Sequence, residues 1–260
     1  MKIAANISVL FRELPLLERF AAARAAGFDG VEMQSPDASP RDLAAAAAGM
    51  PTALINGPIL RETYPFGIAG RPEMRDVFRD QLPLIRSYAA ALGVRQVHLL
   101  AGTVTSADDL DACWSTYADN LDLAADFLGR EGVDVLIEPL NSTDMPNYLL
   151  HSFDDAHAVI ERCGHRIGLQ FDAFHAARMG LDPAAELARR LPIVRHVQFA
   201  DAPGRHEPGT GNTDFAPFLT TLQKSGYAGW LSAEYSPLGP TGAGLRWLDD
   251  WRNRLARSPA

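Results

Sequence analysis

Val194-Arg195-His196-Val197-Gln198-Phe199-Ala200-Asp201 decides how this chain folds. Successive side chains of a strand point to opposite faces. Val197 and Phe199 therefore share one face, and His196 and Gln198 share the other. The same alternation recurs in Val133–Leu140, where Val133, Val135 and Ile137 oppose Leu136 and Glu138. In Ile167–Asp172, Leu169 and Phe171 oppose Gln170 and Asp172; in Trp230–Ser236, Leu231 and Ala233 oppose Ser232 and Glu234. One face is apolar throughout and calls for a cover of helices. The other turns polar toward the C-terminal end of each strand.

Outward from these four, strand-like runs are Lys2–Ser8, Gly30–Gln34, Thr52–Asn56 and Gln96–Leu100. Helix-like runs lie between them: Leu14–Ala26, stopped by Gly27; a run capped by Ser39 with Pro40 at its first position; Pro72–Leu92, interrupted by Pro83; and Ser106–Gly129. Further helices are expected near Asp154–Cys163, Pro183–Arg190, Asp214–Ser225 and Ala243–Arg257. Strands alternating with helices imply a parallel sheet with helical crossovers. Eight such units in 260 residues, about 32 residues each, predict an α/β fold: a single (β/α)8 TIM barrel over residues 1–260. The alternative is an open doubly wound sheet. It usually carries a glycine-rich phosphate loop after its first strand, where this chain has Asn6-Ile7-Ser8.

Composition narrows the function. The 47% hydrophobic and 22% charged residues are ordinary for a globular protein and exclude a disordered or collagenous chain. The net charge of −8, with no Lys/Arg run, argues against nucleic acid as a partner. Cys113 and Cys163 form neither a CxxC pair nor a metal-ligand spacing, which suits a reducing compartment. No apolar run approaches the length of a membrane span, and the N-terminus is too short and polar in its apolar stretch for a secretory signal. A cytoplasmic protein without a membrane partner is expected.

Glu138, Asp172, Gln198 and Glu234 stand near the ends of four consecutive predicted strands, all with inward parity. Three carboxylates and an amide oxygen converging in half a barrel would repel one another. Oxygen-rich sites of this kind suit Mg²⁺ or Mn²⁺, and a divalent ion offsets the repulsion while acting as a Lewis acid. A salt-bridged or capping role accounts for any one of these residues alone, but less readily for four in matching register.

The local sequences also resemble a known group. Ile137-Glu138-Pro139-Leu140-Asn141, Gln170-Phe171-Asp172-Ala173-Phe174-His175, Val197-Gln198-Phe199-Ala200-Asp201 and Ala233-Glu234-Tyr235-Ser236-Pro237 are similar to the xylose-isomerase-like barrels. Within them the chain resembles the hydroxypyruvate isomerase family, through Ala5–Phe11, Glu207-Pro208-Gly209-Thr210-Gly211 and Ala243-Gly244-Leu245-Arg246-Trp247. The resemblance implies Glu138, Asp172, Gln198 and Glu234 as metal ligands, with Glu138 and Glu234 as the proton-transfer pair. The implied reaction moves a proton between adjacent carbons of a small hydroxy-oxo acid through a cis-enediolate. Hydroxypyruvate to tartronate semialdehyde is the first expectation, and a 2-oxo-tetronate follows. His175 is implied as a substrate-oxygen contact. Arg205 is a candidate for the substrate carboxylate, since a guanidinium fork suits one; His206 competes for that role. Asn6 and Glu32 share inward parity, and Asn6 is a candidate substrate contact. His98 reads as a satisfied core histidine and His196 as structural. Asp144 is a candidate to orient His175 or a hydroxyl.

Two segments depart from the family pattern: Asn56-Gly57-Pro58-Ile59-Leu60-Arg61-Glu62, where Arg61 is a candidate replacement cation, and Ser236, where lysine is frequent. Both fall on the substrate side. Three other functions compete. A ketose 3-epimerase on the same scaffold usually has histidine at the position of Gln198. A DNA-repair endonuclease needs a histidine-rich zinc cluster, and this chain has 7 histidines, few at strand ends. A non-catalytic barrel that binds a sugar acid has no need of two glutamates flanking a metal. Barrels of this group often form homo-oligomers, but no stretch here specifies an interface.

Overall fold

The computed structural model describes residues 1–57, 60 and 62–256. Eight parallel strands close into a barrel in sequence order: β1 (Lys2–Asn6), β2 (Gly30–Met33), β3 (Thr52–Gly57), β4 (Gln96–Leu99), β5 (Asp134–Ile137), β6 (Gly168–Asp172), β7 (Val194–Phe199) and β8 (Trp230–Ala233). β1 pairs with β8, which closes the ring and excludes the open sheet. The outer helices are α1 (Leu16–Ala25), α2 (Pro40–Ala47), α3 (Arg75–Leu92), α4 (Leu110–Gly129), α5 (Phe153–Arg162), α6 (Ala173–Arg178), α7 (Pro183–Arg190), α8 (Phe215–Ser225) and α9 (Arg246–Leu255).

Alternation sorts the core as expected. Phe199 faces outward onto Trp251 of α9, with ring centroids 4.5 Å apart, and onto Trp247 at 5.0 Å. Phe171 likewise meets Phe153 of α5 at 5.0 Å. Such rings bury large apolar areas and fix helix against strand. Inside, the barrel is unusually polar: Asn6, Glu32, His98, Gln170, His196, Gln198 and Ser232 are all buried.

Three local expectations need correction. Pro83 does not interrupt α3, which runs unbroken from Arg75 to Leu92. α4 begins at Leu110, capped by Asp109, rather than near Ser106. α6 was not anticipated, because six residues are too few to show a helical repeat. It starts directly from β6: Asp172 is its N-cap, and Oδ1 accepts the Phe174 N–H at 2.9 Å.

Two loops shape the C-terminal mouth. At Gly67, with φ +84°, a Cβ would lie 2.3 Å from the Leu100 carbonyl oxygen, so only glycine lets this loop press against the end of β4. Asp201 organises the loop after β7. Its carboxylate accepts the backbone N–H groups of Gly209, Thr210, Gly211 and Thr213 at 2.8–3.1 Å.

Candidate active site

The barrel register assembles the site. Asp172 pairs with Gln198 across β6 and β7, and Asn6 with Glu32 across β1 and β2. Glu138 and Glu234 stand one residue beyond β5 and β8. With His98, His175, Arg205, Gln34 and Asn56, the two glutamates line a cavity of about 290 Å³. Tyr64, Phe66, Leu140 and Met145 add apolar wall to it. A larger cleft of about 580 Å³ beside Arg178, Asp182 and Asp214 contains none of the candidate site residues.

The two glutamates have different surroundings. Glu234 is surrounded by donors: Oε1 accepts from Asn6 Nδ2 at 3.1 Å and Gln34 Nε2 at 2.5 Å, and Oε2 accepts from Arg205 at 2.9 Å. Glu138 Oε2 accepts from Gln170 Nε2 at 2.7 Å, whereas its buried Oε1 has no hydrogen bond. Burial, followed by repulsion from Glu234 and Asp172, pushes Glu138 well above the usual carboxylate range. Burial also raises Glu234, and Arg205 opposes that rise. Asp172 is pushed up to about 7, mainly by burial, again against the pull of Arg205. Arg205 is held above its ordinary value by these carboxylates, Glu234 foremost, although burial works the other way.

His175 has a defined tautomer. Its Nδ1 accepts the backbone N–H of Asn141 at 3.1 Å, so in the neutral ring Nε2 carries the proton. Burial, with Arg205 and His98 nearby, holds the ring well below its usual pKa and hence neutral. Nε2 lies 3.8 Å from both Glu138 Oε1 and Asp172 Oδ2. Glu138, Asp172 and His175 bring potential ligand atoms within 4.8 Å of one another. With Nδ1 occupied by the Asn141 amide, His175 is better suited to donate to a substrate oxygen than to ligate. The donors present nevertheless fit a hard cation. Glu138 and Glu234 line the cavity, Asp172 is buried beside them, and Glu138 Oε1 is unpaired, an arrangement that is costly without a compensating positive charge.

Other expectations fare differently. Asp144 does not reach His175; it pairs with Arg178 through contacts of 2.8 and 2.9 Å. His98 is not satisfied: neither ring nitrogen is hydrogen-bonded, and Nδ1 lies 3.6 Å from Glu138 Oε2. Burial and His196 drop its pKa to about 3. Asn6 spends its NH₂ on Glu32 and Glu234. Gln198 donates to Glu32 at 2.6 Å and accepts from Gln170 at 2.7 Å. His206 Nδ1 faces the Ser236 carbonyl, away from the carboxylates. Arg61 lies outside the described residues. Gln34, Asn141 and Gln170 were missed. Gln34 and Gln170 share parity with Glu32 and Asp172, which could have found them; Asn141 sits in a loop where parity gives no signal.

Residues 20–251 match the family described as xylose isomerase-like TIM barrel. The chain is 36% identical to a 2-oxo-tetronate isomerase of Cupriavidus necator over 97% of its length and 99% of that protein's. It is 33% identical to the hydroxypyruvate isomerase of Escherichia coli K12, over 97% of this chain and all (100%) of that one. A crystal structure from Brucella melitensis, titled AP endonuclease, family 2, superposes with a TM-score of 0.91 at 34% identity, covering 96% of this chain and 98% of that one. Together with the closed barrel and its ring of inward carboxylates, these likenesses place the chain in the hydroxypyruvate isomerase family of xylose isomerase-like TIM barrels, as an isomerase.

Proposed function

We propose that this protein isomerises a small hydroxy-oxo acid, converting hydroxypyruvate to tartronate semialdehyde or acting on a related 2-oxo-tetronate. The observation that carries the reading is one small cavity holding two unlike glutamates, a neutral histidine and an arginine. The substrate carboxylate takes the Arg205 guanidinium, the one full positive charge among the cavity-lining residues described. Glu234, whose carboxylate accepts from Arg205, Asn6 and Gln34, removes a proton from the hydroxyl-bearing carbon. Glu138, in surroundings that favour its acid form, returns a proton to the neighbouring carbon. His175 Nε2–H donates to the oxygen that becomes negative in the enediolate. The proton of the substrate's own hydroxyl passes to that former carbonyl oxygen, so that both the C–H and the O–H proton change place. Environments that drive two carboxylates apart in proton affinity suit such an acid–base division.

Glu138, Asp172, Gln198 and Glu234 would hold Mg²⁺ or Mn²⁺, which supplies Lewis-acid polarisation when bound. A cation must displace the proton that burial retains on Asp172. Mn²⁺ affinity is therefore expected to rise as pH increases through about 7, where Asp172 titrates, with protons released on binding. Calorimetry at pH 6 and pH 8, in buffers of different ionisation heat, measures both. Affinity independent of pH would argue against these ligands.

The reaction is tested by proton NMR of hydroxypyruvate in D₂O with Mg²⁺ or Mn²⁺, beside an EDTA control. Metal-dependent deuterium uptake with tartronate semialdehyde appearing is expected. Exchange without that product would move the assignment to another hydroxy-oxo acid. Exchange of ketoses alone would favour a 3-epimerase.

A further inference from the structure

Beneath the site, the barrel interior holds another carboxylate, Glu32 on β2, which is 0% exposed. Three donors converge on it: Asn6 Nδ2 on Oε1 at 2.9 Å, Gln198 Nε2 on Oε1 at 2.6 Å, and His196 Nε2 on Oε2 at 2.7 Å. An ionised carboxylate only accepts, so each partner must turn an N–H toward it. For Gln198 the consequence is directional. With its NH₂ on Glu32, its Oε1 points away and accepts from Gln170 Nε2, which also donates to Glu138 Oε2 at 2.7 Å. For Asn6, the same NH₂ reaches Glu234 Oε1, while Oδ1 accepts the Ser8 N–H at 3.0 Å. Two amide paths thus run from one buried acid: Gln198 and Gln170 lead to Glu138, and Asn6 alone leads to Glu234.

We propose that Glu32 is a positioning residue that sets the polarity of the Gln198 and Asn6 amides. An amide's two ends are nearly identical in shape, so hydrogen bonding alone selects which faces the site. Glu32 keeps the Gln198 oxygen, rather than its NH₂, turned to the side of the Gln170 amide that holds Glu138, and keeps an Asn6 N–H on Glu234. The inference rests on the proposed role of Gln198 as a cation ligand. His196, which supplies the third donor, completes this device rather than merely filling the barrel.

The test is Mn²⁺ calorimetry on the full chain, beside thermal melts. E32M removes the acceptor and is expected to weaken Mn²⁺ binding about 10–100-fold, the usual cost of losing an outer partner of a ligand. E32Q retains one acceptor oxygen, and His196 can move its proton to the unbonded Nδ1 and accept from the new amide. Neutral hydrogen bonds are about half as strong as charge-assisted ones, so a loss of about 3–10-fold is expected for E32Q. A merely structural Glu32 would lower the melting temperature and leave Mn²⁺ affinity at the wild-type value in both variants; that result overturns the inference while the metal reading stands. If E32M does not fold, wild-type affinity in E32Q is the overturning result. Wild-type protein that binds no Mn²⁺ would sink the metal reading, and this inference with it.

Discussion

Glu234→Gln is expected to fold and to lose turnover by about 10²–10⁴-fold, the usual worth of a positioned general acid–base group. Among the described residues, the hydrogen bonds to the Glu234 carboxylate all come from donors: Asn6, Gln34 and Arg205. An amide of the same volume can accept from one side only, so its NH₂ must face at least one of those donors. That mismatch costs about 1–3 kcal/mol, which a domain with about 5–15 kcal/mol of stability survives. The variant should therefore melt a few degrees lower while hydrogen–deuterium exchange at the substrate carbon nearly stops. Exchange at a near-normal rate would remove Glu234 from proton transfer.

The second large effect is at Asp172, which has two roles on its two oxygens. Oδ1 caps α6 through the Phe174 N–H, and Oδ2 lies 3.5 Å from Arg205 and 3.8 Å from His175. Asparagine caps a helix about as well as aspartate, whereas losing a cap to alanine costs about 0.5–2 kcal/mol. Asp172→Asn should therefore keep the fold and the position of His175 while weakening Mn²⁺ binding beyond the ~10–100-fold typical of outer partners. Asp172→Ala should lose the same affinity and also melt at a lower temperature. Unchanged Mn²⁺ affinity in Asp172→Asn would show that the ligand set is wrong.

The unlike surroundings of the two glutamates, on which their proposed division of labour rests, were not visible in the sequence. Both sit one residue past a strand with the same parity. Their difference comes from neighbours: Arg205 arrives on a loop ordered by Asp201, and its main chain is held by contacts with Asp201 and Ser236. The guanidinium lies over the Phe174 ring, 4.9 Å from its centroid. Among the described residues, no arginine or lysine forms an ion pair with Glu138. The tautomer of His175 was equally hidden, because it depends on Asn141, 34 positions away in sequence.

What the sequence determined by itself was the barrel and the direction in which each strand residue faces. Alternation is a local property of extended backbone, so Val197 and Gln198 had to part company whatever surrounded them. Asp172, Gln198, Asn6 and Glu32 could be assigned to the interior on that ground alone. The tertiary structure decided which of these groups touch. Glu234 meets Asn6 across 228 residues, and Gln198 meets Glu32 across 166. Such pairs exist only because β8 closes onto β1 and brings the polar faces of distant strands within hydrogen-bonding reach.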